Sequence, residues 1–111
     1  MGSLMCPLDV AIMRWESSTL VRVTGELDLS NITSLERRLA EAEQSPGSTL
    51  VIDLTGLDFI DSTGLHSLAR LHQRRRRTGG GVTVMTGARI GRIFHVIGLD
   101  QVLDVRCEEC D

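Results

Sequence analysis

The chemistry that this sequence can offer is concentrated in one short segment, Asp61 to Leu65, which reads Asp-Ser-Thr-Gly-Leu. The segment before it, Leu50 to Leu54, is short, apolar and β-branched, which is typical of a buried strand. Ser62 therefore follows a strand, and we expect it to be the N-cap of a helix. The next residues recur at the three- and four-residue spacing of one helical face: Leu65, Leu68, Ala69 and His72.

The Ser62 hydroxyl has three interpretations. As an N-cap alone, it stabilises its helix by about 1 kcal/mol. As a nucleophile, it needs an activating base and an oxyanion hole; His66 lies one turn on, but the segment lacks the first glycine of a nucleophile elbow. As a phosphate acceptor it is well suited, because a helix N-terminus presents unpaired N–H groups and about half a unit of positive charge to a dianion.

A family resemblance extends along most of the chain. The segment Phe59 to Leu65, preceded by Val51 to Leu54, resembles the signature of the STAS family, the anti-sigma-factor antagonists. The segment Val21 to Asp28 resembles that family's second strand and acidic turn, and Val96 to Leu99 resembles the end of its third helix. Together these segments span about residues 10 to 105.

The resemblance implies a single α/β domain of the STAS type, with a mixed β-sheet of four to five strands and three or more helices packed on it. We expect residues 10–105 to form this domain, residues 1–9 to be an N-terminal leader or extension, and residues 106–111 to be a C-terminal tail. A length of 111 residues fits one domain.

The resemblance also implies a regulatory function. Unphosphorylated, the protein would bind an anti-sigma factor of the histidine-kinase-like ATPase type and so regulate sigma-factor-dependent transcription, as in a stress response. That serine kinase would phosphorylate Ser62, with Thr63 as the alternative acceptor, and a metal-dependent serine phosphatase would reverse the modification. The protein itself would be no enzyme and would need no cofactor.

The same resemblance places a docking face around the start of this helix. Asp28 has two interpretations: it stabilises the start of the helix that follows it, or it lies beside the serine and helps to bind the kinase. Asp53 is either a further acidic residue of this site or a satisfied carboxylate at a strand end. The residues expected to contact the partner are Asp28, Asp58, Phe59, Ile60, Asp61, Ser62, Thr63 and Gly64.

The composition excludes several classes of function. All twelve basic residues are arginine, which excludes chemistry that depends on lysine. A net charge of -3 and 3% aromatic residues argue against nucleic acid as a partner. No apolar run approaches the roughly twenty residues of a membrane span, and the N-terminus does not resemble a signal peptide. We therefore expect a cytoplasmic protein with no membrane partner.

The spacing of apolar and turn residues predicts alternating strands and helices, with parallel strands joined by helical crossovers. A hairpin is expected around Glu16 to Ser18, and Thr24 to Glu26 should end the second strand. Helix stops are expected at Pro46-Gly47, at Gly79 to Gly81 and at Gly98. The predicted elements are strands at 10–15, 20–25, 50–54, 82–85 and 102–105, and helices at 31–44, 62–78 and 90–97.

Two further motifs have ordinary explanations. Cys107 and Cys110 have the spacing of a zinc or redox pair, but they lie at the C-terminus, with Cys6 as the third cysteine. We predict an exposed tail there and no metal. The run Arg74 to Arg77 could contact nucleic acid or a membrane. It also falls in the last turn of a helix, where cations are favoured, so we predict a solvated helix end.

Two other functions compete with the regulatory one. Related domains serve as scaffold subunits of signalling assemblies or of lipid-transport complexes, where the serine need not be phosphorylated. A small hydrolase that uses Ser62 is the third alternative. Co-purification with a permease-type ATPase would favour the scaffold, and ester turnover that is lost in Ser62→Ala would favour the hydrolase.

Overall fold

The structure is a computed structural model, and it describes residues 7–44 and 49–108. Residues 1–6, Pro46-Gly47 and Cys110 lie outside the described residues, so the predictions made for them stay predictions. In the described part, helices and strands alternate largely as predicted. The strands are β1 (Asp9–Arg14), β2 (Ser18–Leu27), β3 (Thr49–Leu54), β4 (Leu57–Ile60), β5 (Gly81–Thr86) and β6 (Asp104–Cys107); the helices are α1 (Ile32–Ala42), α2 (Ser62–Thr78) and α3 (Ala88–Val96), followed by a 3₁₀ helix (Leu99–Gln101).

The sheet is mixed, in the order β1-β2-β3-β5-β6, with β4 paired to β2 beyond the end of β3. The hairpin strands β1 and β2 are antiparallel, and β2, β3, β5 and β6 are parallel to one another. This confirms the predicted α/β class, the hairpin and the helical crossovers. It also means that the parallel strands end at one edge of the sheet, which we call the carboxyl edge.

The sheet has six strands, not the predicted four to five, because Leu57–Ile60 is a strand and not a loop. β2 is also longer than predicted. Its first half pairs with β3, and after an irregularity between Gly25 and Glu26 its last residues pair with β4. Sequence patterns missed β4 because its two middle side chains are both exposed, so the two-residue alternation of a strand is absent.

All three helices cover the same face of the sheet. Side chains along β2 alternate between buried and more exposed positions, as expected for a strand with one covered face. Leu39 of α1, Leu68 of α2 and Phe94 of α3 all belong to one apolar cluster with the inward side chains of the strands. The inward strand residues include Val21, Val23, Leu27, Leu50, Ile52, Leu54, Leu57, Ile60, Val82 and Val84.

The helix ends agree with the predicted glycine stops. Gly79 follows α2 with a φ of 81°, and Gly98 has the same φ after α3; this left-handed conformation suits glycine. The arginine run differs from its prediction at one position. Arg75 is only 2% exposed, because the face of α2 that packs on the core continues to this residue. Arg74 instead pairs with Glu43 at 3.0 Å.

The last strand also differs from its prediction. β6 runs from Asp104 to Cys107, two residues further than expected, and it pairs with β5 so that Cys107 lies opposite Thr86. Cys107 is half-buried and disulfide-bonded. The first residues of the expected tail are therefore part of the sheet.

Asp53 is a satisfied carboxylate, as one of its two interpretations held. Burial opposes its ionisation, but hydrogen bonds from the Thr55 hydroxyl and N–H, at 2.6 and 2.9 Å, together with the Arg22 guanidinium at 3.3 Å, outweigh that effect. The pKa of Asp53 is therefore lowered from its ordinary value. The residue stabilises the centre of the sheet and lies in β3.

We predict that Gly25→Ala destabilises the fold far more than Gly79→Ala. Both glycines have positive φ, 96° and 81° respectively, so both alanines are strained by about 1 to 2 kcal/mol. A Cβ on Gly79 meets open space, whereas one on Gly25 would lie 2.2 Å from the Pro7 carbonyl oxygen. Urea unfolding should give a loss above about 3 kcal/mol for Gly25→Ala; equal losses for the two variants would contradict this packing.

We also predict that Asp53 makes stability depend on acid pH. The pKa of Asp53 is lower in the folded protein than in the unfolded chain, where it is about 4. Its carboxylate therefore stabilises the fold at pH values above about 4, and this stabilisation is lost as the pH falls through the folded-state pKa. Asp53→Asn should therefore be less stable than wild type at pH 7, and the difference should shrink toward pH 3. Urea unfolding at both pH values checks this; a difference that does not depend on pH would overturn it.

Candidate functional site

The start of α2 is held by Asp61, which the structure shows to be the N-cap in place of the predicted Ser62. The Asp61 carboxylate accepts a hydrogen bond from the Gly64 N–H at 3.2 Å. Its backbone N–H donates to the Leu27 carbonyl at the end of β2, also at 3.2 Å. Asp61 extends the β4–β2 pairing by one bond, so it fixes the helix start against the sheet and leaves the Ser62 side chain without a capping role.

Ser62 is the first residue of α2, and its side chain is exposed, whereas Thr63 is half-buried. The first N–H groups of a helix have no partner inside the helix, and they carry the positive end of its dipole. An oxyanion on Ser62 would therefore lie at an electrostatically favourable end of the helix. Ser62 is therefore the more accessible of the two hydroxyls.

Asp28 lies in the turn that follows β2, directly after Leu27, whose carbonyl accepts the hydrogen bond from Asp61. Its carboxylate accepts hydrogen bonds from the Ser30 N–H at 3.0 Å and from the Ser30 hydroxyl at 2.6 Å. The Asn31 side chain accepts from the Asp28 N–H and donates to the Glu26 carbonyl. Asp28 thus stabilises the turn before α1, as its first interpretation held. It is half-buried, and the turn brings it to the carboxyl edge.

β4 carries two of the predicted contact residues outward. Asp58 and Phe59 are exposed, and Phe59 pairs with Glu26 on β2. The Asp58 carbonyl accepts a hydrogen bond from the Arg89 guanidinium, which ties β4 to the first turn of α3. Phe59 is 47% exposed, so β4 presents a large apolar side chain to solvent.

Two of the predicted contact residues support the site from beneath. Ile60 is buried in the core, and Gly64 is also buried. A Cβ on Gly64 would lie 2.7 Å from a Leu27 methyl carbon and 2.8 Å from an Ile60 side-chain carbon. Glycine is therefore needed here for α2 to approach the ends of β2 and β4, and both residues position the exposed serine.

Ser62 lies between two surface depressions. One, the α1–α2 groove, has a volume of about 460 Å³ and contains an ion pair between Arg70 and Glu36 at 2.7 Å. The buried Ser67 hydroxyl donates to the same Glu36 oxygen at 3.1 Å. This groove is lined by Ile32, Glu36, Ser62, Thr63, His66, Ser67 and Arg70.

The other depression, the apolar groove, has a volume of about 320 Å³ and separates α2 from the residues after α3. Ile97 on its far wall is 52% exposed. His66 lines both depressions, but no described residue forms a hydrogen bond that would orient its ring as a general base. The apolar groove is lined by Ser62, Leu65, His66, Ala69, Ile97 and Leu99.

Sequence reasoning missed two apolar parts of this surface. Leu29 is 74% exposed in the turn beside Asp28, and a leucine within the polar run Asp-Leu-Ser-Asn was the available signal. The wall of the apolar groove formed by Ile97 and Leu99 was also missed. It lies more than thirty residues from Ser62 along the chain, and only the packing of α3 brings it near.

The described residues contain no group of three or more histidine, cysteine or acidic side chains arranged to hold a metal ion. None of the described helices combines the length and the apolar character that crossing a bilayer requires. The arrangement around Ser62 offers an exposed hydroxyl, a helix N-terminus, three carboxylates and two grooves. Such a surface is suited to recognition by another protein and to modification.

Comparison with known proteins agrees with this geometry. The chain is 32% identical to the anti-sigma-F factor antagonist RsfA of Mycobacterium tuberculosis, over 94% of this chain and 87% of that protein. It is 30% identical to the anti-sigma-B factor antagonist of Staphylococcus aureus, over 77% of this chain and 80% of that protein.

The fold is similar to those of solved structures. The crystal structure of an anti-sigma factor antagonist from Mycobacterium paratuberculosis superposes with a TM-score of 0.83 at 25% identity, covering 90% of this chain and 86% of the other. The anti-sigma factor antagonist SpoIIAA in its unphosphorylated form superposes at 0.71 and 17% identity, over 92% and 90% of the two chains. The STAS domain model matches residues 11–109. The chain therefore belongs to the STAS domain family.

Proposed function

We propose that this protein is an anti-sigma-factor antagonist that binds an anti-sigma factor in its unphosphorylated form and is released by phosphorylation of Ser62. The partner is an anti-sigma factor of the histidine-kinase-like ATPase type, which is also the serine kinase, and a metal-dependent serine phosphatase restores binding. The protein acts in the cytoplasm and has no catalytic activity of its own. The observation that carries the proposal is the exposed Ser62 hydroxyl at the first position of α2.

The names of the relatives support the first half of this proposal. Similarity over 94% and 77% of this chain to proteins named anti-sigma factor antagonists makes an anti-sigma factor the expected partner. The geometry supports the second half, because the Ser62 side chain is accessible to a kinase and makes no capping contact that phosphorylation would break. Modification would therefore leave the fold of α2 intact.

Charge explains how the phosphate would release the partner. A phosphoserine adds about 1.5 to 2 negative charges at pH 7, next to a surface that already carries Asp28, Asp58 and Asp61. If the partner places a carboxylate about 6 Å from the phosphate, each pair of like charges costs about 3 kcal/mol at an effective dielectric constant near 20. Each such pair weakens binding roughly a hundredfold, so release requires no refolding of this domain.

Apolar contacts would supply affinity around this charge-sensitive centre. Leu29 is exposed in the turn after β2, and Phe59 is exposed on β4, the strand that leads into α2. The apolar groove also borders Ser62. Large apolar side chains at the centre of an interface contribute most of the binding energy in many complexes. We therefore place Leu29 and Phe59 in the docking face, together with the exposed Asp58 and Ser62.

We predict that Ser62→Glu loses the partner and that Ser17→Glu keeps it. Both changes add one carboxylate, but Ser17 precedes β2, at the end of the sheet opposite Ser62. A pull-down from lysate of the native host, read by mass spectrometry, should retain a kinase-fold anti-sigma factor with wild type, Ser62→Ala and Ser17→Glu. Recovery with Ser62→Glu should fall at least about tenfold.

The unfolding free energy of each variant serves as the control. A glutamate in the first turn of a helix is electrostatically favourable, so Ser62→Glu should be as stable as wild type. A scaffold or transport partner that wild type and Ser62→Glu retain equally would refute the switch. Incubation of the captured kinase with ATP and Mg²⁺ should phosphorylate wild type and Thr63→Val, but not Ser62→Ala.

We predict that Leu29→Ala and Phe59→Ala each weaken binding of the same anti-sigma factor by about ten- to a hundredfold. Trp15→Ala is the matched control, because Trp15 is also a large exposed apolar residue, 59% accessible, but lies at the hairpin end of the sheet. Calorimetric titration with the purified partner measures all three. Equal affinities for Phe59→Ala and Trp15→Ala would remove Phe59 from the docking face.

A further inference from the structure

His66 lies one turn after Ser62 on α2, and the proposed function gives it no role. Its side chain is exposed, and it lines both the α1–α2 groove and the apolar groove. Among the described residues, Ser62 is the only other one that lines both depressions. The two side chains are therefore neighbours on the surface between the grooves.

Helix geometry directs the His66 ring toward Ser62. Residues four apart on a helix have Cβ atoms about 5 to 6 Å apart. Helical side chains also lean toward the N-terminus, over the turn that precedes their own Cα atom. The ring therefore extends toward the first turn of α2, where the Ser62 hydroxyl lies. A phosphate on that hydroxyl would be within reach of an imidazole nitrogen.

The His66 ring is not engaged by its surroundings. It forms no hydrogen bond and no ion pair with any described residue. The other charged side chains among the described residues of the two grooves are Arg70 and Glu36, and these pair with each other at 2.7 Å. The far wall of the apolar groove, formed by Ile97 and Leu99, carries no charge. The ring is thus available for a new partner.

The carboxylates near the start of α2 already have other contacts. Asp61 accepts a hydrogen bond from the Gly64 N–H, and Asp28 accepts two from Ser30. A phosphate carries about 1.5 to 2 negative charges at pH 7, which is more than any carboxylate. A phosphate one turn before His66 is therefore the anion that this ring is best placed to bind.

We propose that His66 is the positioning residue for a phosphate on Ser62, and that protonation of its ring makes release of the anti-sigma factor depend on pH. Histidine is the side chain that gains a charge between pH 5 and 8. At pH 8 a histidine ring is neutral, and the phosphate repels a partner carboxylate with its full charge. At pH 6 the charged ring pairs with the phosphate and offsets part of that repulsion. The pH dependence of release rests on the proposed function, whereas the contact itself requires no partner.

The first test detects the contact through the titration of the phosphate. Phosphoserine is incorporated at position 62 during translation, so that no kinase is needed, and the ³¹P resonance of the folded protein is followed from pH 5 to pH 8. A charged ring beside the phosphate favours the dianion. Loss of the ring in His66→Gln should therefore raise the midpoint of the titration by about half a pH unit.

Two further variants control this measurement. His66→Arg carries a permanent charge at the same position, so its midpoint should lie at or below that of wild type. His72→Gln should titrate like wild type, because His72 lies about three turns from Ser62 on the same helix. Equal midpoints for wild type and His66→Gln would overturn the proposal.

The second test measures the consequence for binding. Calorimetry at pH 6 and pH 8 gives the affinity of the purified anti-sigma factor for the unphosphorylated and the phosphorylated protein. The ratio of the two affinities is the weakening that the phosphate causes. For wild type, this ratio should be about tenfold larger at pH 8 than at pH 6. It should change less with pH in His66→Gln and in His66→Arg, and it should be smaller in His66→Arg.

The outcomes separate this inference from the proposed function. A wild-type ratio that changes with pH no more than the ratio for His66→Gln would refute the role of His66 in release. Equal affinities of the two forms at pH 8 would instead refute release by phosphate, which is the proposed function. The ³¹P titration decides the contact between His66 and the phosphate in either case.

Discussion

The structure depends on the pairing of one strand, β2, with two successive strands on the same side. Its first half pairs with β3 and its last residues pair with β4, after the irregularity at Gly25. The Asp61 N–H continues this pairing with its bond to the Leu27 carbonyl. The position of Ser62 is therefore set by backbone hydrogen bonds of the sheet, which are more rigid than a loop would be.

This arrangement separates the modifiable group from the groups that maintain the fold. Asp61 caps α2, Asp28 closes its own turn, and Ile60 packs against α2 at Gly64, where the helix has no side chain. The Ser62 hydroxyl has none of these tasks. A charge can therefore be added to Ser62 with little cost in folding free energy, and its whole effect is available to act on a bound partner.

The carboxyl edge of the sheet collects the chemistry of the molecule. Ser62 and Asp28 follow the ends of β4 and β2, while Thr86 and Cys107 end β5 and β6. Parallel strands that end at one edge leave their following loops together, which is why α/β proteins bind ligands there. Residues in and after α3 contact this edge, because Arg89 of α3 donates a hydrogen bond to the Asp58 carbonyl of β4 and Leu99 lines the apolar groove with Ser62.

The sequence by itself determined the fold class, the three helices with the glycines that follow α2 and α3, and the serine at the start of α2, because these follow from local periodicity and turn residues. It also contained the resemblance that pointed to the family. Only the tertiary structure decided that Leu57–Ile60 is a strand, that Asp61 and not Ser62 is the N-cap, and that Arg75 is buried. Each of these depends on contacts between segments distant along the chain, above all the β2–β4 pairing and the packing of α2 on the sheet, and no local pattern encodes such contacts.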